Sequence, residues 1–102
     1  MILEPLQIIW SEKAISDLKI IYDWILEVSG SEETAKRIRT KIIKKSKRII
    51  FPEQYQIDEI LGKPYRRMFV NHYKIVYKSE NENIIQILKI FDTLQNPQKI
   101  KK

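Results

Sequence analysis

The apolar repeat of this chain changes period once, and that change limits what it can fold into more than any other feature. Between Ala14 and Ile50 apolar residues return every three or four positions, whereas from Tyr65 to Phe91 they return every two. Ala14, Leu18, Ile21, Ile25 and Val28 predict a helix over residues 12–28, with Ser11 as its N-cap and Glu12 in the first turn, where a carboxylate suits the helix dipole. Ile15, Tyr22 and Leu26 widen its apolar surface. Gly30 supplies a left-handed stop, and Ser31 caps a second helix over 32–50 that opens with Glu32 and Glu33. Its buried face is read as Ala35, Ile38, Ile42 and Ile49, flanked by Ile43, Ser46 and Ile50, and Pro52 ends it. Two helices joined so tightly pack as an antiparallel hairpin.

Strands take the remainder. Leu6–Trp10, after Pro5, reads as an opening strand, and a loop over 52–64 precedes strands at 65–71, 73–79 and 84–91. On the second strand Arg66, Met68 and Val70 alternate with Arg67, Phe69 and Asn71; on the third Tyr73, Ile75 and Tyr77 alternate with Lys74, Val76 and Lys78. The joints at Asn71-His72 and Glu80–Asn83 are too short for crossovers, so these three strands form an antiparallel meander. The expected class is α+β, ordered βααβββ, with the helix hairpin on a small, mostly antiparallel sheet and residues 1–102 as a single domain. At 102 residues and 43% hydrophobic, the chain can bury one core.

Much chemistry is excluded. Without cysteine there is no disulfide, thiol nucleophile or cysteine-held metal, and the sequence has no phosphate-binding glycine loop and no nucleophile elbow. The single histidine, His72, cannot build a multi-histidine site and reads as a turn residue, with proton transfer or phosphate contact as the alternative. Asp17 and Asp23 fall on different sides of their helix, and Asp58-Glu59 lies in the loop; surface or capping roles suit them all. No metal or other cofactor is expected. No apolar run reaches the ~18 residues of a membrane span, so no membrane contact and a cytoplasmic location are expected.

Charge is distributed unevenly. The net charge is −5 over residues 1–33, +8 over 34–51 and +3 over 52–102. On the second helix Arg37, Lys41, Lys44, Lys45 and Arg48 form one stripe, readable as a solvated face or as a surface for an anionic partner. A second basic set, Arg66, Arg67, Lys74, Lys78 and Lys89, lies on strands, where charge must be exposed or paired. Trp10, Tyr22, Trp24, Tyr73 and Tyr77 are read as core or rim rather than as base-stacking groups.

With these residues in place, the chain resembles the RelE/ParE superfamily of toxins from bacterial type II toxin-antitoxin systems. The resemblance rests on Trp10-Ser11-x-x-Ala14-x-x-Asp17-Leu18-x-x-Ile21-Tyr22, Pro52, Leu61-Gly62-x-x-Tyr65-Arg66, Tyr73-Lys74-Ile75-Val76-Tyr77, Phe91-Asp92-Thr93 and Asn96-Pro97, over about residues 6–98. It implies a cognate antitoxin and one of two targets: DNA gyrase for the ParE-like branch, or messenger RNA cut on the ribosome for the RelE-like branch. It matches Arg66 and Lys74 to basic positions of the nuclease branch, but Met68 and Leu94 stand where that branch has a lysine and an arginine, and Ile100 and its neighbours offer no tyrosine. The ParE-like reading is therefore preferred, with gyrase as partner. The alternatives are a ribonuclease using Arg66, Lys74, His72 and Lys89, with ribosome and mRNA as partners, and a toxin fold of weak or lost activity. Arg66, Arg67, Lys74, Lys89, Lys44 and Lys45 are the expected target- or antitoxin-binding residues, acidic antitoxin groups facing Arg66, Arg67 or Lys74.

Overall fold

The computed structural model describes residues 6–94; the basic tail, Asn96-Pro97 and Ile100 lie outside the described residues. Elements follow in the order β1 (Gln7–Trp10), α1 (Glu12–Ser29), α2 (Glu32–Ser46), a 3-10 turn at Pro52–Gln54, β2 (Arg66–Val70), β3 (Tyr73–Asn81) and β4 (Ile84–Asp92). The sheet order is β1-β4-β3-β2. The last three strands form the expected antiparallel meander, and β1 joins its far edge parallel to β4. This is the α+β helix-hairpin-on-sheet architecture that the two periods imply.

Local chemistry explains the helix ends. Ser11 Oγ accepts from the Ala14 N–H at 3.0 Å and Ser31 Oγ from the Thr34 N–H at 3.1 Å, so both serines cap as expected. Gly30 adopts φ 65° and donates its N–H to the Leu26 carbonyl at 2.8 Å, a left-handed stop that a side chain would strain. At the β2–β3 turn Asn71 takes φ 53°, a conformation asparagine tolerates better than most residues.

Several boundaries differ from the sequence reading. Helix α2 ends at Ser46, four residues early, where the Ser46 hydroxyl donates to the Ile43 carbonyl at 2.7 Å and the chain turns. Ile49 is still delivered to the core, but by that turn, whereas Ile50 is 74% exposed rather than buried. Val28 and Ile15, expected on or beside the apolar face of α1, are also exposed. Strand β3 runs to Asn81, which shortens the polar turn to Glu82-Asn83. The 52–64 loop is partly built as sheet: Ile57 pairs antiparallel with Arg66, and the Asp58 N–H donates to the Tyr65 carbonyl at 2.8 Å.

Ala14 and Ile21 of α1, Ile42 of α2 and one face of the sheet form the core, that face being Met68, Val70, Tyr73, Ile75, Tyr77, Ile85, Ile87 and Ile90. Trp10 and Tyr22 are half-buried, as rim residues are, while Trp24 is largely exposed. Strand β1 is short and covers β4 only from Ile84 to Ile87, so the backbone of β4 beyond that point would be unpaired. Helix α1 satisfies it. The Ser11 N–H donates to the Ile87 carbonyl at 2.9 Å, Ser11 Oγ to the Leu88 carbonyl at 2.9 Å, and Asp17 Oδ2 accepts from the Ile90 N–H at 3.0 Å. Asp17 is thus buried, not the surface residue expected from its helical position, because a strand amide needs its carboxylate.

Candidate functional site

The pleat of the sheet divides the strand cations. In the β2–β3–β4 register Arg66 lies opposite Tyr77 on the helix-covered face, while Arg67, Val76 and Lys89 form one cross-strand row on the other face and Phe69, Lys74 and Phe91 the next. The structure therefore brings Arg67, Lys74 and Lys89 together and sets Arg66 apart. Arg66 donates from a guanidinium nitrogen to the Tyr55 carbonyl at 2.8 Å, at the edge where the loop joins β2.

Lys74 is only 2% exposed. Its ammonium lies 2.7 Å from Asp58 Oδ2 and 3.6 Å from Glu59 Oε1. Asp58 is fully buried, and its Oδ1 accepts from the Ile60 and Leu61 N–H groups at 2.9 and 2.7 Å, so one carboxylate both caps the loop and neutralises the lysine. Burial pushes the Asp58 carboxyl up, but the Lys74 ammonium together with the Leu61 and Ile60 amides outweighs it and holds the group below the ordinary carboxylate range. Glu59 is also held low, first by its own backbone amide and then by Arg67. Arg67 donates from Nε to Glu59 at 3.0 Å and from its terminal nitrogen to the Gln56 side-chain carbonyl at 3.0 Å, with its guanidinium 5.0 Å from the centre of the Phe69 ring. The surface role expected for Asp58 is corrected here: a cation in the middle of a buried strand needs a partner, and the loop carries one to it.

The other candidates lie nearby. Lys89 lies 5.8 Å from the Phe91 ring centre and makes no ion pair among the described residues. His72 occupies the β2–β3 turn, its Nε2 3.3 Å from Asp92 Oδ1 and its ring against Tyr73 at 4.2 Å. The His72 carbonyl accepts from both the N–H and the hydroxyl of Thr93, which pins the turn to the end of β4. Met68 faces the core and is 1% exposed; Leu94 is 77% exposed.

Helix α2 makes a separate basic surface. Lys41, Lys44, Lys45 and Arg48 line an open cleft of about 330 Å³ with Phe69, Val70 and Asn71. Lys41 and Lys44 also line a second cleft, of about 450 Å³, with Arg37, Lys36, Thr40 and Glu33. Lys45 leans over the Tyr55 ring at 5.5 Å. Among the described residues no three acidic or histidine side chains cluster as metal ligands, and no helix is long and apolar enough to cross a membrane.

Sequence reasoning missed Asp58 as the partner of Lys74. The available signal was Lys74 itself, set between Tyr73 and Ile75 on an apolar strand with the acidic pair Asp58-Glu59 in the preceding loop.

Comparison with known proteins gives a consistent result. The profile of the family described as the ParE toxin of the type II toxin-antitoxin system, parDE, matches residues 8–97. No curated protein matches the chain significantly. Among solved structures, a chain from the chromosomal ParDE TA system of P. aeruginosa is similar, with a TM-score of 0.71 at 21% identity over 85% of this chain and 95% of that one. At that identity the likeness shows a shared fold.

Proposed function

The chain belongs to the ParE toxin family of type II toxin-antitoxin systems, whose members pair with a cognate antitoxin, and from that premise we propose that its target is DNA gyrase in the cytoplasm. The observation that carries this reading over RNA cleavage is the burial of Lys74. Cutting a phosphodiester requires a base, an acid and a cation converging on one phosphate, each held better in the transition state than in the ground state. Here the Lys74 ammonium is committed to Asp58 at 2.7 Å, Arg66 lies on the opposite face bonded to Tyr55, and Met68 points into the core. His72 sits at a turn with Asp92 as its partner. These groups do not form a convergent set.

For the antitoxin, the open face supplies the docking chemistry that fits best. Phe69 is 41% exposed beside Arg67, an apolar contact next to a cation already holding the Glu59 carboxylate. An acidic antitoxin side chain would take over that position from Glu59, and apolar antitoxin residues would cover Phe69.

The test incubates purified toxin with gyrase and supercoiled DNA, and separately with translating ribosomes. Trapped DNA breaks without new RNA ends support the proposal. Codon-specific RNA cleavage lost in a folded Arg66→Ala variant, with gyrase unaffected, installs the ribonuclease reading, and inactivity in both assays leaves the fold without either activity.

A further inference from the structure

The basic segment 34–51 contains eight Lys or Arg and no Asp or Glu, and the fold sorts those eight by what they touch. Lys36 pairs with Glu32 at 2.9 Å, the Arg39 guanidinium lies 4.6 Å from the Tyr22 ring centre, and Lys45 rests over Tyr55. Like the exposed Lys47, which lines neither α2 cleft, Arg37, Lys41, Lys44 and Arg48 make no ion pair among the described residues. Those four line the two clefts, which join at Lys41 and Lys44 into one groove running from α2 to the end of β2. Glu33 is the single carboxylate bordering it, at the N-terminal end.

The spacing is linear. Arg37, Lys41 and Lys44 rise about 10 Å along the helix axis, roughly three phosphate-to-phosphate intervals on one strand of a duplex, and Arg48, beyond the end of α2, lines the same cleft as Lys41 and Lys44. The chemistry points away from a protein partner. Protein interfaces are depleted in lysine and depend on buried aromatic anchors, whereas this groove is lysine-rich, shallow and lined by a single aromatic, Phe69. Exposed point charges, with one carboxylate, Glu33, only at the N-terminal end, are suited to counterion release from nucleic acid.

We propose that the α2 groove binds the sugar-phosphate backbone of duplex DNA without sequence preference, through Arg37, Lys41, Lys44 and Arg48. This gives the toxin a DNA contact of its own, through cations distinct from those of the open sheet face, with Phe69 as the shared border, and independent of which enzyme it poisons. Such a contact would raise its local concentration on DNA and let it slide there.

The experiment measures binding of the full chain to a labelled mixed-sequence duplex of about 20 base pairs by fluorescence anisotropy, over salt from about 50 to 200 mM. The expected result is saturable binding whose logarithm falls linearly with the logarithm of salt concentration. Lys41→Gln with Lys44→Gln should weaken binding roughly tenfold at the lowest salt and flatten the slope by about two. Lys19→Gln with Lys63→Gln removes the same charge from exposed sites away from the groove and should shift binding by less than about twofold. Equal losses in the two variants would overturn the proposal, because net charge alone would then account for the binding. So would failure to bind at low salt, or tighter groove-dependent binding of a poly-glutamate peptide of matched charge, which would reassign the surface to an acidic protein. Arg37→Gln with Lys44→Gln reads the same groove should the first variant not fold.

Discussion

Asp58 and Lys74 set the tolerance of this protein to acid and to substitution where the 52–64 loop closes over the sheet. Removing one member of a buried pair strands the other charge, so Asp58→Asn should cost about 3–5 kcal/mol of unfolding free energy in urea titration. The double change Asp58→Asn with Lys74→Met should recover a large part of that loss, since the uncompensated ammonium goes with it. The sign of the pH dependence follows from the depressed carboxyl. Its folded value lies below the 3.8 of an unperturbed aspartate, so its contribution is whole above about pH 4 and is lost as pH falls through the folded value. Thermal melts of the parent should therefore fall steeply below about pH 4, and those of Asp58→Asn should lose that component. Tyr77 offers a smaller test of the same region. Its hydroxyl donates to the Pro52 carbonyl at 2.9 Å, and Tyr77→Phe should cost about 1 kcal/mol.

Among the secondary-structure elements, the two helix caps look alike in sequence but are not equivalent in the fold. The Ser31 side chain bonds only within the first turn of α2, its oxygen accepting from the Thr34 N–H and hydroxyl. Ser11 caps α1 and also donates its hydroxyl to the Leu88 carbonyl, at the point where β4 runs beyond β1. Ser31→Ala should cost about 1 kcal/mol, the usual value of a lost cap, whereas Ser11→Ala should cost about 2 kcal/mol because a strand carbonyl loses its partner as well. Chemical denaturation of the two variants in parallel checks the difference. Equal losses would mean that the tie to β4 carries no net stability. Asp17 belongs to the same joint, since its carboxylate is the partner of the Ile90 amide.

For the molecule as a whole, the first and last strands are neighbours in the sheet, so no partial sheet of consecutive elements is complete without both ends of the chain. Stability should accordingly be concentrated in β3 and β4, which β1, β2 and the helices flank. In native-state hydrogen exchange the amides of Ile75, Ile85 and Ile87 should exchange only through global unfolding, while those of Lys47 to Phe51, beyond the end of α2, should exchange through local opening. The same topology fixes the functional layout. The helix hairpin occupies one face of the sheet, leaving Arg67, Phe69, Lys74 and Lys89 on the other and the α2 cations along a side. An antitoxin on the open face and DNA in the α2 groove would therefore use different cations and meet only at Phe69, which borders both.

The elements and their order were legible in the sequence because a helix or strand advertises its buried face through period alone, and the caps at Ser11 and Ser31 and the stop at Gly30 act within a turn of the residues they serve. The alternation on β2 and β3 likewise foretold that Arg66 and Arg67 point to opposite faces. What tertiary structure decided is where distant segments meet: β1 beside β4, Asp17 under the Ile90 amide, and Asp58 against Lys74. Periodicity says which side of an element is covered, but not by what. The partner of a buried charge is chosen by the loop that closes over it, and that closure depends on the packing of the whole sheet.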